Sequence, residues 1–504
     1  MSAIARFFEL KERGTTVGTE VRAGVVTFMT MAYIIVVQPM VLADAGMPMG
    51  GVMLATCLSS AIATLLIGLL ANYPVAMAPC MGHNFYFAFL VMSGVVPSWR
   101  EALGAVFVSG SLFLVLSLFG FRERVMNAVP DSLKYAIAVG IGLLIALVGL
   151  RSAGLVVELP DATGWTIGKF TKPVVLAAIG LAITAGLMAF RVRGAILIGL
   201  VATALVGMGM GLVKPVGSPV SAPPWDKLKE TALGFDPIGL FRFAIAGKGA
   251  FLGVLGVVFT FFFLDLFDAI GTLIGVTQQA GLMVDGKLPK AREALFSDAA
   301  GTVVGAVLGT STVSAYIESS AGVSEGGRTG LANVVTAALF VLSIFFYPCV
   351  EMIAGGVPAG QTLAFEQKVL TSKTGEEFET LRVAVAPPKD TNQEPRPVPL
   401  EPKSTLLVSR TRPLSPVTAP TLILIGCLII SVVARIPWHD WTEAVPAFLA
   451  MIMMPMTFNI TEGIAFGFIS YTFLKVVTGR AREVSPWVAI FAVLFVARYA
   501  YEAL

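Results

Sequence analysis

The sequence predicts an all-α polytopic membrane protein with 14 transmembrane segments arranged as two inverted halves of seven, and three observations predict it. Of 504 residues, 56% are hydrophobic and only 13% charged, against roughly 45–50% and about 25% in soluble domains. The apolar residues fall in uncharged blocks that match the length of about 20 residues a helix needs to cross a bilayer. The halves also repeat weakly: Gly24-Val25-Val26 recurs as Gly256-Val257-Val258, and Ala63-Thr64 as Gly301-Thr302, at offsets of 232 and 238 residues. Seven is an odd number, so the second half must enter the membrane inverted.

Residues 1–22 are polar and charged, which argues against a cleavable signal peptide, and residues 23–42 form the first span. Further blocks follow at 52–71, 102–120, 133–150, 173–190, 194–213, 250–276, 329–350, 416–434, 443–457 and 460–476. Three more, at 74–92, 294–309 and 311–323, are shorter or interrupted. Short broken segments thus hold the third place in each half, which in secondary transporters points to the binding site. Glycines at 301, 305 and 309 predict close helix packing. A fifteenth apolar run, 486–501, ends in Arg498, Tyr499 and Tyr501 and is expected to lie in the membrane interface. Two polar stretches remain: 214–249 joins the halves, and 355–415 has the Pro-rich, mixed-charge composition of a disordered linker. The Lys and Arg residues of the short loops, among them Lys11, Arg122, Arg191, Lys290, Arg328 and Arg480, share one side if both termini are cytoplasmic.

Net charge is only +3 with the basic residues scattered, so no surface exists to follow a nucleic acid backbone. Cys57, Cys80, Cys349 and Cys427 lie in apolar runs without CxxC spacing, which predicts neither disulfides nor a zinc site. The zinc-protease and phosphate-loop motifs are absent from the sequence. No enzyme activity and no cofactor are expected.

The third span carries Pro74, Pro79 and Gly82 before His83, Asn84, Phe85 and Tyr86. Continuous helix is prevented there, and irregular backbone at membrane depth is tolerated only inside protein or against a cavity. The eighth span holds Asp265 and Asp268, three residues apart on roughly one face. A charge at the bilayer centre costs about 2.5–3.5 kcal/mol, so at least one of them serves function. Asp265 also suits a purely structural role, fastening two helices. The tenth span runs Thr310-Ser-Thr-Val-Ser-Ala-Tyr316-Ile-Glu318-Ser319, which reads as a short extended strand entering a half-helix, with Glu318 the leading candidate. His83 suits either a proton relay or a hydrogen-bonded helix contact.

The run FFELKERGTTVGTEVRAGVVTFMTMAYIIVVQPMVLADAGMP, the AP-x-MG-x-N-x-YF core of the third span, ALFSDAAGTVVGAVLGTSTVSAYIESSAGVSEGGRTGL and TEAVPAFLAMIMMPMTFNITEGIAFGFISY resemble the nucleobase:cation symporter-2 (nucleobase-ascorbate transporter) superfamily. The match is to its AzgA-like branch of hypoxanthine, guanine and adenine permeases. That resemblance implies a core domain of residues 1–120 and 250–354 and a gate domain of 133–213 and 416–476. Residues 214–249 become the inter-repeat loop, 355–415 a polar insert, and 477–504 a cytoplasmic tail. It also implies short antiparallel strands in spans 3 and 10 and a multi-pass inner-membrane protein, with a homodimer through the gate domain as its expected assembly.

By motif, the family's span-8 acid falls on Asp268, its span-10 acid on Glu318 and its span-3 asparagine on Asn84. The implied function is proton symport of purine nucleobases. A purine edge would meet Glu318, Asp268 and Asn84, with Tyr316 and Ser319 beside them. The ring faces would meet Phe85, Phe262 or Phe267. Proton coupling falls to Asp268 or Glu318, with His83 as a further candidate. Where the family usually has glycine, leucine and alanine, this chain has Cys80, His83 and Phe85. Substrates such as uracil, xanthine or an anion, or a purine sensor that moves nothing, are the competing expectations.

Overall fold

The computed structural model describes residues 3–118, 129–158, 164–215, 217–246, 250–283, 288–354, 363–371, 377–385, 396–397, 416–458 and 460–502. Among the described residues, eight helices are long and apolar enough to cross a membrane, and three shorter apolar helices accompany them. Every apolar block of the sequence carries helix. The first block breaks into Val17–Met31 and Ile34–Asp44 at Ala32 and Tyr33. Thr16 caps the former, accepting from the Thr19 amide. Buried Glu20 of the same helix accepts from the amides of Arg328 and Thr329, satisfying donors at the start of Gly330–Ser343 that would otherwise be orphans.

The helices pack in two groups. In one, Met49–Leu70 contacts Ala291–Leu308 and Gly330–Ser343, while Trp99–Leu118 contacts Ala291–Leu308 and Ala250–Gln279. In the other, Asp131–Ser152 contacts Ala419–Ile430 and Trp441–Thr457, and Trp441–Thr457 contacts Ile460–Val477. The expected glycine packing is present: a Cβ on Gly301 would sit 2.9 Å from the Ala63 side chain. Gly309 ends its helix at φ +93°, a conformation open mainly to glycine.

Strands β1 (Met77–Pro79) and β4 (Val313–Ala315) pair antiparallel, with Met77 opposite Ala315 and Pro79 opposite Val313. Strands β2 (Val156–Glu158) and β3 (Trp165–Ile167), which the sequence reading did not anticipate, form a second antiparallel pair. The 355–415 insert also departs from its expected linker character. Its first part forms an antiparallel ladder of β5 (Leu363–Thr371) and β6 (Glu377–Val385), because alternation in LAFEQKVLT and EFETLRVAV suits a strand and the prolines come later. Residues 214–249 are not a bare loop. They include the helix Pro237–Ala246, and the Leu233 amide and Thr231 hydroxyl donate to the carbonyls of Val307 and Leu308, closing the end of the helix before β4. The run 486–501 forms Pro486–Glu502, where Phe491 packs edge-on against Phe263 and Phe468.

Candidate functional site

Each half contributes a strand followed at once by a helix: β1 enters Met81–Met92, and β4 is followed by Ser319–Ser324. Pro74 and Pro79 prevent earlier helix, whereas Gly82, expected to add to the break, lies inside the helix; the backbone groups released find partners. Cys80 donates its amide to the Thr312 carbonyl at 2.9 Å, and Tyr316 donates its own to Ala76 at 3.0 Å.

A threonine from the preceding helix clamps each strand. The Thr64 hydroxyl donates to the Met77 carbonyl (3.0 Å) and accepts from the Met77 amide (2.9 Å). Thr302 donates to the Val313 carbonyl at 3.0 Å. These are the residues of the Ala63-Thr64 and Gly301-Thr302 repeat. Thr302 also donates to Asp265 Oδ2 at 3.2 Å, a bond that links two helices.

Glu318 and Asp268 are half-buried among mostly buried neighbours. Tyr33 donates to Glu318 Oε1 at 2.8 Å, and the Cys80 thiol donates to Asp268 Oδ2 at 3.2 Å. Among the described residues no Lys or Arg forms an ion pair with either acid. Both are held by neutral donors, which a substrate can replace for roughly one net hydrogen bond each, about 1 kcal/mol.

The other predicted residues divide. Asn84 is fully buried and exchanges hydrogen bonds with Gln38, and it accepts from the Ser311 hydroxyl. Gln38 also donates to Thr310 (2.9 Å) and Ser311 (3.2 Å), so this amide network ties span 1 to both broken spans. Ser319 accepts from the Ala76 amide at 3.0 Å, and the Tyr316 hydroxyl donates to the Pro79 carbonyl at 2.5 Å. Both therefore brace the strand crossing.

Phe262 packs edge-on to Phe113 and Phe263 in the interior, whereas Phe85 is half-buried. The side chain of Phe267 lies outside the described residues. His83 is buried, and neither ring nitrogen has a hydrogen-bond partner among the described residues, so the hydrogen-bonded helix contact is not what the structure holds.

Sequence reasoning missed Tyr33, Gln38 and Asp298. Asp298 accepts from the Ser314 hydroxyl (3.1 Å) and Ala315 amide (3.2 Å), fixing β4. Each is a polar residue in an otherwise apolar block, the same signal that exposed Asp268 and Glu318.

A bundle of apolar helices around a strand crossing, with two acids held only by neutral donors, defines a polytopic membrane permease. The pattern of the Permease family matches residues 18–367. A putative permease of Methanocaldococcus jannaschii is 42% identical over 503 residues, covering 99% of both chains. The guanine/hypoxanthine permease PbuO of Bacillus subtilis is 39% identical, covering 97% of this chain and 98% of its own. The adenine permease AdeP of Escherichia coli is also 39% identical, with 99% and 96% covered. The transmembrane domain of a cyanobacterium bicarbonate transporter, BicA, shares the fold at a TM-score of 0.58 and 12% identity, covering 89% of this chain and 97% of that one. The chain belongs to the nucleobase:cation symporter-2 permease family.

Proposed function

We propose that this permease imports purine nucleobases, hypoxanthine, guanine and adenine, by proton symport. The observation that carries the reading is the pair of half-buried acids, Glu318 and Asp268, held by Tyr33 and Cys80 at the strand crossing. End-to-end likeness to permeases named for guanine/hypoxanthine and for adenine supports the choice of substrate. Glu318 as a carboxylate accepts two adjacent N–H groups of a purine edge, taking the place of the Tyr33 hydroxyl. Asp268 addresses another edge and carries the coupling proton, or shares that task with Glu318. Phe85 covers a ring face, and Asn84, Tyr316 and Ser319 hold the crossing in register.

Fourteen spans in two inverted sevens leave both termini on one side, which the Lys and Arg bias of the short loops makes the cytoplasm. The paired antiparallel strands with their matching Thr64 and Thr302 clamps support that inversion. The two packing groups support a division into a core (1–120 and 250–354) and a gate (133–213 and 416–476), and rocking of one against the other gives alternating access. The gate is the face for a homodimer.

The test is uptake of radiolabelled hypoxanthine, guanine and adenine by uptake-deficient cells, with and without a protonophore. Protonophore-sensitive accumulation that disappears in Glu318→Gln, at unchanged membrane level, is expected. Normal uptake by that variant sinks the assignment of Glu318. Transport of uracil, xanthine or an anion instead overturns the purine reading, and binding without accumulation marks a sensor.

A further inference from the structure

Cys80 stands at the N-cap of Met81–Met92 and His83 three residues on, so the two side chains share a face. Asp268 comes to that face from Ala250–Gln279. One ligand atom from each, the Cys80 Sγ, an imidazole nitrogen of His83 and a carboxylate oxygen of Asp268, lie within 4.8 Å of one another. His83 is 1% exposed and both its nitrogens lack a hydrogen-bond partner among the described residues. A buried imidazole in that state has given up hydration without replacement. Cys80 and Asp268 are half-buried, so the cluster is open on one side. The cysteine spacing alone gave no sign of it, because the third group comes from a distant span.

We propose that Cys80, His83 and Asp268 form a three-ligand site for a thiophilic divalent cation of the Zn²⁺ class. Thiolate, imidazole and carboxylate are the donors Zn²⁺ takes, and three protein ligands leave its fourth position open. Zinc bonds of about 2.0–2.3 Å set tetrahedral ligand atoms about 3.5 Å apart, so the present spacing closes by side-chain rotation of roughly 1 Å. On binding, the Cys80 S–H proton leaves to solvent, the S–Zn bond forms, and the metal takes over the carboxylate oxygen that the thiol held. The dication then faces one thiolate and one carboxylate, a neutral set suited to a site of low dielectric. The bound cation joins Met81–Met92 to Ala250–Gln279 and withdraws Asp268 from other partners. This inference goes beyond the transport reading, and its test requires no transport.

Full-length protein, purified in detergent and stripped with a chelator, is titrated with Co²⁺, which reports thiolate ligation through a charge-transfer band in the near ultraviolet. Saturation at one Co²⁺ per chain is expected, with that band present and discharged by Zn²⁺. Cys80→Ser removes the band, and His83→Gln weakens binding by about tenfold or more, the scale on which even outer partners of a metal act. Alkylation of the unaltered protein keeps the test independent of variant folding: Zn²⁺ slows labelling at Cys80 and leaves exposed Cys427 unchanged. Co²⁺ binding without the thiolate band, titrations identical in well-folded Cys80→Ser and His83→Gln, or labelling of Cys80 indifferent to Zn²⁺ overturns the site.

Discussion

Acids are held in two opposite ways in this molecule. At the strand crossing, Glu318 and Asp268 receive hydrogen bonds from a phenol and a thiol. Around the end of Ile460–Val477 the acids are held by cations. Lys475, its side chain fully buried, lies 2.7 Å from both Glu443 and Glu483, and Arg480 lies 2.8 Å from both Asp440 and Glu483. Ser132 adds a hydroxyl donor to Glu443. An acid paired with a buried cation cannot change partner without leaving that charge stranded, which is costly. An acid held by a neutral donor can. The difference separates a framework from a candidate site using the same residue types.

Substitutions at the two places should therefore fail differently, and the largest effect sharpens the contrast most. Glu318→Gln should reduce purine uptake to the background of cells without the protein while its melting temperature stays near that of the parent; a large loss of stability instead would make Glu318 a framework acid. Lys475→Met should do the reverse. Stranding Glu443 is expected to cost about 3 kcal/mol, visible as a lowered melting temperature in detergent, with the KM of the surviving protein unchanged.

Tyr33→Phe removes one neutral donor and is expected to alter uptake efficiency by roughly fivefold, the equivalent of about 1 kcal/mol. Uptake as low as in Glu318→Gln would mean that the phenol does more than occupy the acid. The smallest effect is the pH response of Asp440. Hydrogen bonds from Arg480, then from Thr442, hold its carboxyl well below the usual range. Its stabilising contribution is therefore complete well above the ordinary carboxylate value of about 3.9, and is lost progressively as pH falls from there to the lower folded-state value. Melting curves of the parent should lose this contribution in that acid window and those of Asp440→Asn should not. Salt should shrink the difference, because the pair is partly exposed.

Much of this was legible in the sequence, for physical reasons. Uncharged blocks of about 20 residues announce helices because a single segment of that length satisfies its own backbone in lipid only as a helix, and the prolines of span 3 announce the break. Asp268 and Glu318 stand out because their cost in apolar blocks is high. What stayed hidden depends on pairing across the chain. No spacing in the sequence shows that Gln38 and Ser311 bond to Asn84, or that Ser319 and Tyr316 bond to Ala76 and Pro79. The nearness of Cys80, His83 and Asp268 has no spacing rule. The ladder of β5 and β6 was obscured by the proline-rich composition that follows it.

The strand pairing also constrains the order in which the protein can be made. Residue 77 pairs with residue 315, so during synthesis β1 reaches the membrane long before its partner leaves the ribosome. Unpaired amides and carbonyls are costly in lipid. Thr64 meets part of that need from within the first half, since its one hydroxyl serves both the amide and the carbonyl of Met77. A temporary partner of this kind lets the nascent first half wait in the bilayer, and the strand crossing cannot close until more than half of the chain has been made.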